Sequence, residues 1–143
     1  ENGGAGDVDE QLGVLQNAVS YLGTRAPSET MEDVRRQAEG MHVKLVLDGG
    51  EFKDVRGERL LALAARECVT NCVKHAGGDE VHVRIVWRGD WLEAVYTNNG
   101  KAPEHQIKEG GGLLALRRKI EDYGGQMRVA DAPTFVLTVE LPV

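Results

Sequence analysis

The sequence contains few cysteines, few aromatic residues and no long apolar run, and each scarcity excludes a class of protein. Its 143 residues include two cysteines, and aromatic residues make up 5% of the chain. Two thiols are too few for the disulfide framework of a small secreted domain, and they fit a reducing cytoplasm. No segment approaches the ~20 consecutive apolar residues that a membrane-spanning helix needs. The four histidines show no metal-binding spacing.

Basic charge is also scarce, because the formal net charge is −6. A protein that binds the phosphate backbone of a nucleic acid needs a basic surface, so the composition argues against a nucleic-acid partner. Hydrophobic residues make up 41% of the chain and charged residues 28%, which is typical of a soluble globular domain. The length is enough for one domain with a real core. The chain begins with Glu1 rather than Met, which predicts a piece of a longer protein.

Apolar periodicity and glycine positions predict the order of helices and strands. Residues 1–27 are interpreted as a flexible N-terminus with a helical pattern at 8–22, and residues 28–143 as the folded domain. The helix at 8–22 either docks on this domain or belongs to a preceding one. The remaining predicted elements are a helix that Ser28 or Thr30 caps and Gly40 ends, a strand at 42–47, a loop at 51–57, a helix at 58–76, strands at 81–87 and 91–97, a loop at 101–109, a helix at 113–123, and strands at 126–130 and 134–141.

The predicted helix at 58–76 is polar along one side. Glu67, Asn71 and Lys74 recur at spacings of four and three, which places them on one face of an α-helix. The apolar side consists of Leu61, Ala65, Cys68, Val69 and Cys72. Both cysteines are therefore interpreted as small buried thiols. The alternative for the polar side is the solvated face of an ordinary amphipathic helix.

Two glycine clusters follow this helix, Asn-Asn-Gly-Lys-Ala at 98–102 and Glu-Gly-Gly-Gly-Leu at 109–113. A polar helix face followed by two glycine-rich loops resembles the N, G1 and G2 boxes of the GHKL ATPases. That superfamily includes gyrase-type ATPases, heat-shock chaperones, mismatch-repair ATPases and sensor histidine kinases. The segments RECVTNCVKHA and EGGGLLALRRKIEDYGG are most similar to sensor histidine kinases that are paired with nitrate-response-type regulators. The resemblance covers about residues 31–143.

The resemblance implies an α+β fold, the two-layer sandwich of the GHKL (Bergerat) type. Its sheet would be mixed and mostly antiparallel, with helices on one face and ATP between the helices and a lid loop. It also implies Mg²⁺ and transfer of the γ-phosphoryl group of ATP to a histidine on a helical hairpin outside this chain. The helix at 8–22 would then be the tail of that dimerisation hairpin.

The implied partners are a response regulator and, for the longer protein, a second copy of itself. The domain would face the cytoplasm in a membrane-anchored sensor, without contacting the membrane, and would be monomeric on its own. None of the four histidines lies in a context that resembles the phosphoacceptor box, so this chain alone is not expected to phosphorylate itself.

Roles for the polar face follow from the same resemblance. Asn71 would supply an oxygen ligand to Mg²⁺, which prefers such ligands, and Glu67 would be the candidate catalytic base. Lys74 and His75 would contact phosphate oxygens. Three alternatives stay open: Asn71 satisfies a neighbouring loop, Glu67 pairs with Arg66 or Lys74, and His75 is a helix C-terminal residue that the macrodipole favours.

The second glycine cluster precedes a predicted helix. Glycines allow the backbone to approach phosphates, and the helix N-terminus offers free N–H groups. The resemblance therefore implies phosphate binding by Gly110, Gly111, Gly112 and Leu113. The alternative is a plain flexible loop.

The first glycine cluster departs from the family pattern. Asn98 stands where an Asp usually accepts a hydrogen bond from the adenine amino group. An Asn carbonyl can still accept that bond, and its NH₂ can donate to a ring nitrogen. Gly100 matches the first glycine of the G1 box, but Ala102 replaces the second. We therefore expect weaker nucleotide binding or altered base discrimination.

Two other functions are compatible with the same residues. An anti-sigma-type serine kinase shares the fold and needs no upstream hairpin. A non-catalytic module that has lost useful nucleotide affinity would explain Asn98 and Ala102. The presence of Glu67, Asn71 and the second glycine cluster argues against this last alternative.

Overall fold

The computed structural model describes residues 29–49, 54–101, 111–131 and 134–142. The helical pattern at 8–22, Gly110 and Ala102 lie outside these ranges. Among the described residues, no helix has both the length and the apolar character needed to cross a bilayer. The elements are α1 (Met31–Gly40), β1 (Lys44–Asp48), α2 (Val55–Asn71), a π-helical turn (Cys72–Ala76), β2 (Glu80–Arg88), β3 (Trp91–Asn98), α3 (Gly111–Asp122), β4 (Gln126–Ala130) and β5 (Val136–Pro142).

The five strands form one sheet in the order β1-β2-β3-β5-β4. Strands β1 and β2 are parallel, and the other three neighbouring pairs are antiparallel. Burial alternates along the strands: Val81, Val83 and Ile85 of β2 are buried, whereas His82 and Arg84 between them are exposed. The helices therefore cover one face of the sheet. The predicted two-layer α+β sandwich with a mixed, mostly antiparallel sheet is confirmed.

Helix α2 forms the centre of the helical layer. The five apolar positions that the helical wheel placed on its inner side are all buried: Leu61, Ala65, Cys68, Val69 and Cys72. Three alanines of α2 are fully buried and allow close approach to the sheet. Tyr96 of β3 is also fully buried, and its hydroxyl donates to the Leu61 carbonyl at 2.8 Å. This bond satisfies the phenol in the core and joins the two layers.

The interpretation of both cysteines as buried thiols is also confirmed. Cys68 and Cys72 are free and buried. Burial raises the pKa of the Cys68 thiol and that of the Cys72 thiol, because desolvation disfavours the thiolate.

The start of α2 differs from the prediction. Residues 51–57 were predicted as a loop, but α2 begins at Val55. Asp54 caps the helix by accepting the Arg56 N–H at 3.2 Å, and it also accepts a hydrogen bond from the Tyr123 hydroxyl. Gly57 is buried inside the first turns, where a Cβ would lie 3.6 Å from the Tyr123 hydroxyl. A glycine interpreted as a loop residue is therefore a packing position of the helix.

Two further helix boundaries differ by a few residues. Thr30 caps α1 in a capping box with Asp33, as one of the two predicted caps. The helix was predicted to stop before Gly40, but Gly40 is its last residue. The residue with left-handed backbone geometry is His42, with a φ of 63°. Helix α3 begins at Gly111, two residues before the predicted start, so two glycines expected in a loop lie in its first turn.

Candidate functional site

The polar face of α2 ends in a π-helical turn. Glu67 and Asn71 are half-buried, and Asn71 is the last residue with α-helical pairing. Cys72–Ala76 then form the π-helical turn, which Gly77 closes with a φ of 66°. A π-helical turn holds an extra residue, so Lys74 departs from the α-helical spacing that placed it beside Glu67 and Asn71, and His75 follows it on the same turn. Both are exposed on this turn.

The Glu67 carboxylate forms no ion pair with Arg66 or Lys74. Instead, the Arg66 guanidinium donates to the buried Glu29 carboxylate, with an N–O distance of 2.6 Å. Within the described ranges, the side chains of Glu67 and Asn71 have no hydrogen-bond partner in the protein. The structure therefore leaves a carboxylate and an amide, one turn apart, available to a ligand.

The N-terminus of α3 lies against Glu67. A Cβ added to Gly112 would be 2.6 Å from the Glu67 Cδ, so only a glycine allows this approach without movement of the carboxylate. Gly111 and Gly112 are exposed, whereas Leu113 is 7% exposed and anchors the helix in the core. The first N–H groups of a helix have no intrahelical acceptor and attract anions. Glu67 on the polar face of α2 and the first N–H groups of α3 thus lie next to each other.

Asn98 lies at the end of β3 on the sheet face that carries the helices. Alternate residues of a strand point to the same face, so Asn98 shares its face with the buried Ala94 and Tyr96. Its partner in β2 is the buried Val81. Its Oδ1 accepts the Gly100 N–H at 2.8 Å. Its Nδ2 has no hydrogen-bond partner among the residues that the structure describes.

Asn99 has a role that the sequence did not reveal. Its Oδ1 accepts the N–H groups of Asp79 and Glu80, each at 3.0 Å, and its Nδ2 donates to the Asp79 carboxylate at 2.7 Å. An Asn-Gly pair after a strand indicates a turn, but that signal does not say which amides the side chain satisfies. Asn99 therefore fastens the end of β3 to the start of β2.

Gly100 and Lys101 fasten the same segment to the end of α2. The Lys101 N–H donates to the Ala76 carbonyl at 2.8 Å. A Cβ at Gly100 would lie 2.5 Å from the Ala76 carbonyl oxygen, which is a backbone atom and cannot swing away. Residues 98–101 are consequently held against the π-helical turn, close to the residues on the polar face of α2.

These residues fit a nucleotide in their chemistry. Within 29–49, 54–101, 111–131 and 134–142, no group of three or more His, Cys, Asp or Glu side chains can hold a metal ion alone. A hard cation at Asn71 would need most of its oxygen ligands from phosphates and water, as Mg²⁺ commonly has. The N–H groups at the α3 N-terminus are of the kind that bind phosphate, and the Asn98 amide has the donor and acceptor groups that a base would need.

Known proteins with related sequences or folds are consistent with this arrangement. The Bacillus subtilis sensor histidine kinase DesK is 26% identical over 150 aligned residues, which include 93% of this chain and 40% of DesK. The chain thus spans less than half of that relative. The histidine kinase domain of the Erythrobacter litoralis EL346 blue-light activated histidine kinase superposes with a TM-score of 0.60 at 17% identity, covering 84% of this chain and 65% of that one.

A second solved structure has the same fold, and a family model matches the sequence directly. The Acinetobacter baumannii histidine kinase AdeS superposes with a TM-score of 0.60 at 15% identity, covering 78% of this chain and 61% of that one. The family model described as histidine kinase-, DNA gyrase B- and HSP90-like ATPase matches residues 57–143, from the first turn of α2 onward. The chain belongs to this ATPase family.

Proposed function

We propose that this chain is the ATP-binding catalytic domain of a sensor histidine kinase, which binds Mg·ATP and transfers the γ-phosphoryl group to a histidine outside the chain. One observation carries the proposal: Glu67, which like Asn71 one turn further along α2 has no hydrogen-bond partner among the described residues, lies against Gly112 at the N-terminus of α3. Phosphoryl transfer depends mainly on positioning and charge neutralisation. A carboxylate, an amide oxygen and free helix N–H groups around one space supply both.

Each polar group has a distinct task in this proposal. Asn71 would hold Mg²⁺ through its amide oxygen, and the chemistry that this ion would supply is neutralisation of phosphate charge. The amides of Gly111, Gly112 and Leu113, with Gly110 before them, bind phosphate oxygens. Glu67 accepts a proton from, or orients, the attacking imidazole.

Lys74 and His75 lie on the π-helical turn between the phosphate-binding residues and residues 98–101. Both are exposed, and within the described residues neither side chain has a hydrogen bond or ion pair to lose on turning towards the phosphates. A lysine ammonium is a good point-charge partner for a phosphate oxygen.

The longer protein would follow the pattern of the sensor kinases that it resembles. DesK is a sensor histidine kinase, and this chain spans 40% of it. We propose that a dimerisation hairpin with the phosphoacceptor histidine precedes the domain, that a membrane-anchored sensor carries it in the cytoplasm, and that a response regulator receives the phosphoryl group. Pairing with a regulator of the nitrate-response type is supported by the sequence resemblance alone.

Calorimetric titration tests nucleotide binding. The chain is titrated with ATP with and without Mg²⁺, beside Asn71→Ala and a control, Gln126→Ala. Gln126 is an exposed amide on β4, on the sheet face away from the helices. We expect saturable binding to the wild type and the control. Asn71→Ala should lose at least tenfold in affinity with Mg²⁺ and little without it. A folded wild-type chain that binds no ATP would refute the proposal.

Phosphotransfer tests the histidine kinase assignment. The full-length protein is incubated with ATP labelled at the γ-phosphate, and the phosphoprotein is treated with acid and with alkali. Phosphohistidine is acid-labile and alkali-stable, so we expect label that acid removes. Glu67→Gln should slow transfer and leave ATP affinity nearly unchanged. Label that survives acid would instead indicate a serine kinase.

A further inference from the structure

Asn98 presents a hydrogen-bond donor where a purine base would bind. We infer that Asn98 sets the purine selectivity of this chain, so that a base with a carbonyl at C6 is accepted about as well as adenine. This inference rests on the proposed nucleotide site and concerns its base specificity. Three observations support it: the face on which Asn98 lies, the orientation of its amide and the rigidity of the segment that holds it.

The position of Asn98 follows from strand register. Residues 92, 94 and 96 of β3 are buried beneath the helices, and Asn98 continues this series at the strand end. It is half-buried beside the π-helical turn that follows the polar face of α2. A side chain at this place lies between the sheet and the helices, where the ring faces of a bound base would also be sheltered from water.

The Gly100 N–H fixes the orientation of the Asn98 amide. That N–H donates to Oδ1 at 2.8 Å, and the reversed amide would bring NH₂ against another donor. The carbonyl oxygen is therefore turned towards the chain, and Nδ2 is the branch that remains for a ligand. Nδ2 has no hydrogen-bond partner within the described part of the chain.

The segment around Asn98 prevents easy rearrangement. Asn99 bonds to the amides of Asp79 and Glu80, and the Lys101 N–H bonds to Ala76. Gly100 is so close to Ala76 that a Cβ there would collide with it. The Gly100 N–H consequently cannot turn away to release Oδ1 without breaking several other contacts.

Base choice follows from the donor and acceptor pattern. The amino group at C6 of adenine is a donor and would face the Asn98 NH₂, unless it shared Oδ1 with Gly100. The carbonyl at C6 of hypoxanthine or guanine would accept from that NH₂ directly. An Asp at this position would reverse the preference, because its second carboxylate oxygen accepts from adenine and repels a carbonyl. Asn98 can accept from adenine only by sharing Oδ1, so both bases find a partner, whereas a carboxylate and a C6 carbonyl have no donor between them, a mismatch that reduces affinity by tenfold or more.

Titration calorimetry with Mg·ATP and Mg·ITP tests the inference. Inosine triphosphate has the C6 carbonyl and lacks the 2-amino group of guanine, so it isolates the contact at C6. The wild type is compared with Asn98→Asp and with Asn71→Asp, which makes the same change of charge on α2, where Mg²⁺ and the phosphates would bind. The carboxylate introduced by Asn98→Asp can still accept the Gly100 N–H, so this variant should fold, and its thermal melting temperature verifies that it does.

We expect the wild-type dissociation constants for ATP and ITP to agree within tenfold. Asn98→Asp should raise the ITP-to-ATP ratio of dissociation constants at least tenfold, and Asn71→Asp should leave that ratio unchanged. A wild type that prefers ATP by more than tenfold, or an Asn98→Asp variant with an unchanged ratio, would overturn the inference and leave the proposed function intact. A folded wild type that binds neither nucleotide would overturn both.

Discussion

The two ends of the candidate site are built differently. We call residues 98–101 together with 76–80 the base end, and Glu67, Asn71 and residues 111–113 the phosphate end. Hydrogen bonds from Asn99 and Lys101 join the two segments of the base end. At the phosphate end, Gly112 lies against Glu67, and within the described residues neither the Glu67 nor the Asn71 side chain has a hydrogen-bond partner.

The difference lies in which hydrogen bonds the protein makes by itself and which ones a ligand would have to make. Apart from Asn98 Nδ2, the groups that join the two segments of the base end are hydrogen-bonded to one another, so that end can keep its geometry without a nucleotide. Among the described residues, the amide of Asn71, the carboxylate of Glu67 and the first N–H groups of α3 have no hydrogen-bond partner, and a charged ligand would satisfy them. Specificity for a base should therefore be preformed, whereas the arrangement around the phosphates should form on binding.

Replacing one glycine at each end with alanine should change the free energy of unfolding by very different amounts, and this is the largest difference that we expect. Gly100→Ala places a Cβ 2.5 Å from the Ala76 carbonyl oxygen and should cost about 3 kcal/mol. Gly112→Ala meets the movable end of the Glu67 side chain, and alanine favours helix, so the free energy of unfolding should change by less than about 0.5 kcal/mol. Urea unfolding measures both. Equal losses of stability would show that the two ends are equally rigid.

Alanine at one asparagine of each end should show the same contrast with a smaller effect. Asn99→Ala removes the acceptor of two backbone N–H groups and should lower the free energy of unfolding by about 1–2 kcal/mol. Asn71→Ala removes no protein hydrogen bond among the described residues, and alanine is the better helix former, so stability should be unchanged or slightly higher. A large loss of stability in Asn71→Ala would reveal a structural role for this amide.

Stability is expected to depend on pH through the hydrogen bond that Tyr123, the residue after α3, donates to Asp54 at the start of α2. The Tyr123 hydrogen bond lowers the pKa of Asp54, so its stabilisation is present above the ordinary Asp pKa and is lost as pH falls through the lowered value. The same bond raises the pKa of Tyr123, so that stabilisation is present below the ordinary Tyr pKa and is lost as pH rises through the raised value.

Melting temperature against pH, for the wild type and Tyr123→Phe, measures this small effect. The variant should show a weaker dependence in both acid and alkali. Asp33→Asn is the control, because Thr30 lowers the pKa of Asp33 in the cap of α1. It should weaken the acid dependence alone. An alkaline dependence that persists in Tyr123→Phe would assign it to another group, such as the buried Tyr96, whose pKa burial raises.

Periodic patterns predicted the fold well because they report on burial. The alternation in β2 and the apolar side of α2 both predicted the face that is buried. Glycines were less informative, since the same residue type serves a loop, a turn or a close contact. Gly57 and Gly111 were assigned to loops but lie in helices, because α2 and α3 both begin earlier than the glycine positions indicated.

The sequence indicated which residues to consider for the candidate site, but not which residues the side chains around it contact. The sequence singled out Glu67, Asn71 and Asn98 as residue types that suit this chemistry, and their roles stay predictions. The hydrogen bond from the Asp79 N–H to the Asn99 side chain joins residues that are 20 positions apart. The salt bridge from Arg66 to Glu29 joins residues that are 37 positions apart. No local pattern contains such pairings. The π-helical turn is equally absent from a wheel drawn at ~100° per residue.

Amide hydrogen exchange, followed by NMR with and without a non-hydrolysable Mg·ATP analogue, tests the contrast between the two ends directly. The amides of Asp79, Glu80, Gly100 and Lys101 should already exchange slowly without nucleotide, because each donates a hydrogen bond. The amides of Gly112 and Leu113 should exchange fast without nucleotide and slow down strongly with it. Protection gained chiefly at the base end, with none gained at Gly112 and Leu113, would contradict both the preformed base end and phosphate binding by α3.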